Sequence, residues 1–298
     1  MSGGYLFSQL ANGLILGSMY ALIAIGFSMI YGIVRLINFA HGDIFTIGAF
    51  ATLASIAVAQ VPFPVALLIV LAAGAVSGLL IERAAFRPMR GAPQVTGFIA
   101  SLAVSIIIEN LAVLTVSAQP RTFAVPAYLN QLVAFGSVSV RVIDVVIVAL
   151  AVLLMIGLVL FVRFTRIGVA MRATAENYDV ARLMGINIDR IIGLAFAIGS
   201  ALAAVAGLMW GTKYGQISPI MGLLPGLKAF VAAVIGGVGS ITGAVLGGYV
   251  LGMAEVLFVG LLPPEYSGYR NAFVFGALIL VLLLMPNGIL GRSAEQRA

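Results

Sequence analysis

The chain contains no cysteine and a single histidine, His41. The first absence removes disulfides, iron–sulfur clusters and thiolate metal sites. The second leaves a histidine-based metal centre or a serine–histidine triad with one residue and no partner. Charge is scarce as well. Asp, Glu, Lys and Arg make up 9% of the 298 residues, against about 25% in soluble domains. No Gly-x-x-x-x-Gly-Lys-Ser/Thr phosphate loop occurs; the nearest stretch, Gly222–Lys228, has the wrong spacing and lacks the hydroxyl. Gly-x-Gly-x-x-Gly is missing too, so any use of ATP has to be borrowed from another chain. No basic residue precedes the apolar run that begins at Tyr5. That start predicts an uncleaved first span rather than a secretory signal. Neither a catalytic residue nor a cofactor or metal site is expected.

What the chain has in abundance is apolar length. Hydrophobic residues are 62% of the sequence and the mean hydropathy is +1.17. Candidate spans are Leu6–Ile33, Asn38–Val58, Val65–Ile81, Thr96–Val116, Val142–Val162, Ile191–Trp210, Leu223–Ile235, Ile241–Leu262 and Ala272–Met285. Val142–Val162 alone, at about 1.5 Å per residue, covers roughly 31 Å and so the hydrocarbon core. Leu223–Ile235 is short and interrupted by Pro225, Gly226 and Lys228, which fits either a full span or a re-entrant piece. The expectation is an all-α polytopic membrane bundle of about 8–9 transmembrane helices, a single transmembrane domain over residues 1–298.

The formal charge of +6 reads as topology. The arginines sit at span ends, without the basic stripe and interleaved aromatics of a nucleic-acid surface, so no nucleic-acid partner is expected. Arg83–Arg90, Arg163–Arg190, and Arg292 with Arg297 are assigned to the cytoplasm. Arg35 then lies inside, the N-terminus outside, and Ser117–Arg141 forms an external loop. The stretch Phe161–Arg190 holds five of the sixteen Lys/Arg and three of the ten acids. Within it, Arg172–Met184 lacks Pro and Gly and is rich in helix formers, predicting one helix stopped by Gly185. Arg172–Glu176 and Asp179–Arg182 have helical ion-pair spacing, each worth about 0.2–0.5 kcal/mol. Ala175, Tyr178, Ala181 and Arg182 line one side. On these features alone, a docking helix and an ordinary positive-inside loop remain equally open.

Several polar residues fall inside apolar spans: Asn38, His41 and Asp43; Glu109 and Asn110; Lys228; and Glu255. A charge at mid-bilayer costs about 2.5–3.5 kcal/mol on insertion scales, which argues against lipid-facing placement. For Lys228 and Glu255 a buried pair between neighbouring spans is the favoured reading. For Asn38–Asp43 a polar lining of a translocation path and structural hydrogen bonding stand level. Gly239, Gly243 and Gly247, Gly248 and Gly252, and Gly13 and Gly17 recur every four residues and predict close helix packing inside the bundle.

The motifs carry a resemblance. Gly17-Ser18-Met19-Tyr20-Ala21-Leu22-Ile23-Ala24-Ile25-Gly26, Ile37-Asn38-Phe39-Ala40-His41-Gly42, Glu82-Arg83 with Phe86-Arg87-Pro88, Met184-Gly185-Ile186-Asn187-Ile188-Asp189-Arg190, Gly236-Gly237-Val238-Gly239-Ser240 and Met285-Pro286-Asn287-Gly288-Ile289-Leu290-Gly291-Arg292 are similar to the H-type permease subunits of the branched-chain amino-acid ABC importers. Ala175-Glu176-Asn177, with Gly185 nine residues beyond Glu176, resembles the coupling-helix pattern of ABC importer permeases. The resemblance implies a non-catalytic inner-membrane subunit that moves Leu, Ile or Val with ATP hydrolysed elsewhere. Its implied partners are a second, similar permease subunit, two ATP-binding subunits, an external solute-binding protein, the amino-acid substrate and the lipid bilayer. The ATPase-coupling residues it implies are Arg172, Ala175, Glu176, Asp179, Ala181, Arg182 and Gly185. The path residues are Asn38, His41, Asp43, Glu109 and Asn110. Two alternatives stand beside it: urea or short amides as substrate in the same family, and a stand-alone carrier coupled to an ion through Glu109 and Glu255.

The sidedness is directly testable in a cysteine-free chain. A cysteine introduced at Ala175 should react with an impermeant thiol reagent only when the cytoplasmic face is opened. Labelling from outside intact cells would overturn the assignment.

Overall fold

The computed structural model describes residues 3–116, 118–122, 125–135, 138–285 and 287–291. The expectations placed on Ser117, Pro286, Arg292 and Arg297 lie outside the described residues. The fold is an all-α bundle. Its long elements are α1 (Gly3–Val34), α2 (His41–Thr52, extended by a π-helical stretch Leu53–Val58), α3 (Phe63–Ile81, extended through Met89), α4 (Gln94–Thr115) and α5 (Val142–Phe164). Two short helices follow, α6 (Arg166–Glu176) and α7 (Tyr178–Leu183), then α8 (Ile188–Tyr214), α9 (Leu223–Gly236), α10 (Ile241–Leu261) and α11 (Arg270–Leu284). Among the described residues eight helices are long and apolar enough to cross a membrane. The fourteen residues of α9 reach only about 21 Å, less than the roughly 30 Å hydrocarbon core.

Helix α1 is the axis of the bundle. It is apolar on all sides, which suits a membrane span or a bundle interior, and here other helices enclose it. Every residue from Met19 to Ile25 is buried. Small residues bring α10 against it: a Cβ on Gly248 would stand 2.5 Å from the Ala21 Cα, and one on Gly17 2.9 Å from the Tyr249 Cα. The four-residue glycine spacing therefore serves internal packing, as the sequence suggested. Gly239 is the exception, since it precedes α10 in a turn with φ 86°. The peripheral helices carry the outward apolar surface, including Ile106 and Leu114 on α4, Leu153 and Ile156 on α5, and Leu280 and Leu283 on α11.

The connections gather at two ends. At one, Tyr5 Oη donates to the Gly260 carbonyl at 2.6 Å and Lys213 Nζ meets Asp144 Oδ1 at 2.6 Å. There β1 (Arg121–Thr122) pairs antiparallel with β4 (Gln216–Ile217). Beside it the hairpin β2 (Leu132–Phe135) and β3 (Val138–Arg141) sets Leu132 opposite Arg141. At the other end the Gly239 N–H donates to Ser28 Oγ at 2.9 Å. The N–H groups of Ile289 and Leu290 cap the last α9 carbonyls, Ile235 and Gly236, at 2.8 and 3.0 Å. Those carbonyls would otherwise be orphans of a helix terminus.

One departure from the sequence expectation shapes the site. The second span was expected to begin at Asn38, but helix begins at His41. The chain reverses after α1 at Arg35, whose φ is +56°, and Leu36–Ala40 runs without helix. The His41 ring lies on the Ile23 carbonyl, eleven residues before Val34 and so about 17 Å along α1 from its end. Helix α2 thus starts deep in the bundle instead of at its surface.

Candidate translocation path and docking elbow

The loop that re-enters the bundle delivers a group of polar side chains into an apolar interior. Asn38, His41, Asp43 and Thr46 are each no more than 2% exposed. His41 Nε2 is 3.3 Å from the Ile23 carbonyl oxygen; a carbonyl only accepts, so Nε2 carries the proton. Ser105, itself buried, lies on α4 with Glu109 one turn further along the same helix. Yet many donors and acceptors are left over. Both amide atoms of Asn38, His41 Nδ1, Asp43 Oδ2, Thr46 Oγ1 and Glu109 Oε1 are buried without a hydrogen-bond partner among the described residues. A buried group left this way costs about 1–3 kcal/mol, so their concentration between Asn38 and Thr46 requires a use.

Four phenylalanines frame the same place. Phe27 lies edge-on to His41 at 6.2 Å and to Phe230 at 5.3 Å. Phe39 stacks edge-on with Phe98 at 5.1 Å and tilts toward Phe230 at 6.2 Å. They come from α1, the re-entrant loop, α4 and α9, so no sequence periodicity links them, and sequence reasoning missed them. Of the path residues expected from sequence, the structure brings Asn38, His41, Asp43 and Glu109 to this region. Asn110 is exposed and bonds back to the Ile106 carbonyl of its own helix at 2.7 Å; it does not join them.

Glu255 and Lys228 form a closed structural unit. Lys228 Nζ is 2.6 Å from Glu255 Oε1, with both side chains at most 4% exposed. Arg270 Nε approaches the same oxygen at 3.1 Å, and Tyr20 Oη donates to Oε2 at 3.0 Å. The pair joins α9 to α10 as the sequence reading favoured. Glu255 is fully engaged, which removes one of the two carboxylates on which a stand-alone ion-coupled carrier would depend.

The loop between α5 and α8 is an elbow and not the single helix expected over Arg172–Met184. It breaks at Asn177, whose side chain accepts from the N–H groups of Asp179 and Val180 at 2.9 and 3.1 Å and so caps α7. The Asn-x-Asp signature was the readable sign of that break. Thr165 caps α6 through Gly168 at 3.0 Å, and Asn187 caps α8 through Arg190 at 3.1 Å. Gly185 ends α7 as expected, with φ +79°. Ile186 N–H bonds to the Ala181 carbonyl at 3.1 Å and Gly185 N–H to the Arg182 carbonyl at 3.0 Å, the paired bonds of a Schellman stop.

Arg172, Glu176, Asp179, Arg182 and Gly185 are exposed on the elbow, while Ala175 is half-buried. Ala181 is 2% exposed; its methyl packs inward and holds α7 onto the bundle, because the cap at Asn177 turns that face toward the core. Sequence reasoning missed Leu183 and Met184, which are 86% and 78% exposed at the tip. Val180 is exposed beside them on α7, and Phe164, Ile167 and Val169 are exposed where α6 begins. Behind the elbow, Arg90 bridges Glu82 and Asp189, and Arg87 pairs with Asp189 at 2.8 Å, tying the end of α3 to the start of α8.

The fold and these two regions define a multi-pass α-helical membrane permease, in which no cluster of metal-ligating side chains occurs among the described residues. The family model described as the permease component of the branched-chain amino acid transport system matches residues 9–283. The chain belongs to that family, a component of a transport system with other subunits. It is 42% identical over 98% of both chains to the high-affinity branched-chain amino acid transport system permease protein LivH of Escherichia coli K12. The same identity over 97% of both chains relates it to BraD of Pseudomonas aeruginosa, also named a high-affinity branched-chain amino acid permease. The xylose transport system permease XylH of Escherichia coli K12 is 32% identical over 49% of this chain and 38% of its own. No solved structure matches.

The buried ion pair yields a stability test. Glu255→Leu leaves Lys228 charged and unpartnered in the interior and should cost roughly 3–5 kcal/mol, read as a lower unfolding temperature in detergent. Adding Lys228→Met should recover most of that loss. A double variant no more stable than Glu255→Leu alone would show that the pair is not what the site depends on.

Proposed function

We propose that this chain is one of two membrane subunits of an importer for branched-chain amino acids in the bacterial inner membrane. It works as one permease domain and is driven by ATP hydrolysed on two separate subunits. The observation that carries the substrate class is the 42% identity over nearly the whole length to relatives named for high-affinity branched-chain amino acid transport. The site chemistry agrees with it. A zwitterion with an aliphatic side chain needs hydrogen-bonding groups at one end and an apolar surface at the other. The unpartnered Asn38 amide, His41 Nδ1 and Asp43 Oδ2 beside Phe27, Phe39 and Phe230 supply that combination, with Glu109 Oε1 a further unpartnered acceptor.

The chain itself makes and breaks no covalent bond. An external solute-binding protein delivers substrate, and a second permease subunit of similar build closes the other side of the path. ATP binding favours the closed ATPase pair. That differential affinity shifts the permease between outward and inward access, since a ligand moves an equilibrium only by its preference for one state. The elbow α6–α7 receives the ATPase, with Leu183 and Met184 as apolar anchors and Arg172, Glu176, Asp179 and Arg182 as polar contacts around them. Ala175 and Gly185 permit close approach.

Two substitutions test the docking surface. A Cβ at Gly185 meets nothing within 4 Å, so Gly185→Val acts through its left-handed backbone, at about 1–2 kcal/mol, without a clash inside the bundle. Glu176→Arg reverses an exposed charge. Both variants should insert normally and lose ATPase co-purification, stimulated hydrolysis and transport together. Wild-type values for both would make the elbow an ordinary surface loop.

A further inference from the structure

The elbow and the polar group at the start of α2 are joined by a short physical path, and its parts come from opposite sides of the loop sequence. Tyr178, the first residue of α7, donates its hydroxyl to the carbonyl of Ile33. Ile33 lies in the last turn of α1, where carbonyls have no partner within the helix. Arg35 reaches back the other way, its guanidinium 3.5 Å from the Ala175 carbonyl in α6. Between these contacts lies a cleft of about 230 Å³, walled by Val34–Arg35 on one side and Thr174–Tyr178 on the other. The chain then continues from Arg35, held at φ +56°, straight into Leu36–Ala40 and the side chains of Asn38 and His41. A non-glycine residue at positive φ stores backbone strain of about 1–3 kcal/mol. The segment Leu36–Ala40 is thus five residues long, starts from a strained reversal and is tied at its origin to the elbow.

We propose that Tyr178 and Arg35 are positioning residues that convert displacement of the elbow into displacement of the re-entrant segment carrying Asn38 and His41. This rests on the elbow being the ATPase docking site. Tyr178 supplies the link through a hydroxyl whose proton it keeps: burial raises the phenol above its usual value, against the opposing pull of Arg90 and Arg35. Phe39 N–H, on the far side of the segment, is held by Ser101 Oγ at 3.3 Å. Displacement at the Arg35 end therefore passes to the α2 start as a rotation of the segment about the point held at Phe39. The side chains of Leu183, Met184 and Glu176 touch the partner; Tyr178 does not need to.

The test uses the whole reconstituted complex with a reporter thiol, Ile37→Cys, in this cysteine-free chain. With Tyr178 present, the labelling rate of that thiol should differ between nucleotide-free and ATP-bound complex. Tyr178→Phe, which keeps the ring and removes only the hydroxyl, should abolish the difference and lower substrate moved per ATP at least about fivefold. The ATPase should co-purify and hydrolyse as before. A nucleotide-dependent labelling change that survives Tyr178→Phe, with unaltered transport per ATP, overturns the link alone. Loss of ATPase co-purification in Tyr178→Phe also overturns it, because Tyr178 would then be a docking contact. If the reporter shows no nucleotide response even with Tyr178 in place, the link is overturned, whereas the docking role of the elbow fails only if Gly185→Val and Glu176→Arg both keep the ATPase bound.

Discussion

The structure depends on one constraint: a polar backbone can enter a membrane interior only where protein satisfies or shields it. Helices and closed barrels meet that rule by themselves, while irregular backbone meets it only inside a bundle. The segment Leu36–Ala40 is irregular and lies deep, so it has to be enclosed. Helix α1 stands on one side of it, and Ser101 on α4 accepts the Phe39 N–H. Within the segment, His41, Gly42 and Asp43 donate to the carbonyls of Asn38, Phe39 and Ala40 at 3.2–3.3 Å. The main chain from Asn38 to Ala40 is thereby tied to α4 and to the first turn of α2, while the Asn38 amide, His41 Nδ1 and Asp43 Oδ2 stay without a partner among the described residues.

The rest of the bundle supports this arrangement. The small residues of α1 and α10 allow the central helices to touch backbone to backbone, which fixes α1 as the reference against which α2 begins. The Glu255 unit anchors the short α9 to α10 through Lys228 at 2.6 Å. Without that anchor a helix too short to cross would have little to hold it in register. The tail residues Ile289 and Leu290 finish the job at its other end. The buried polar groups fall into two sets: Glu255 and Lys228 are consumed by each other, whereas the Asn38 amide, His41 Nδ1 and Asp43 Oδ2 have no partner among the described residues. In sequence a buried pair was the favoured reading for Lys228 and Glu255, while lining and structural bonding stood level for Asn38–Asp43; their hydrogen-bond partners separate them.

Much of this was legible from the residues. Apolar run length located the spans, and the four-residue glycine spacing predicted close packing inside the bundle, which the structure realises between α1 and α10. Gly185 was readable as a stop because positive φ after a run of helix formers favours glycine. The break at Asn177 was missed because propensity summed over Arg172–Met184 outweighs a single cap residue, although Asn accepting from its own +2 and +3 N–H groups overrides it locally. The start of α2 was placed three residues early because hydropathy reports burial and not conformation, and Asn38–Ala40 is buried or half-buried without being helical. The phenylalanine frame was invisible in principle, since residues 27, 39, 98 and 230 share no period and meet only through tertiary structure. Ala181 reads as a contact residue by pattern and turns out to be an internal one, a distinction that depends on which way the Asn177 cap rotates α7.

The most direct measurement is uptake of radiolabelled leucine by the complex reconstituted into vesicles, with Asn38→Leu compared against the unaltered chain. The variant removes the two unpartnered amide atoms while leaving the bundle apolar. Uptake should fall about tenfold or more, as expected when roughly 1.4 kcal/mol or more of differential interaction is lost, while subunit assembly and basal ATP hydrolysis persist. Unchanged uptake with an intact complex would place the path elsewhere and contradict the role assigned to the start of α2.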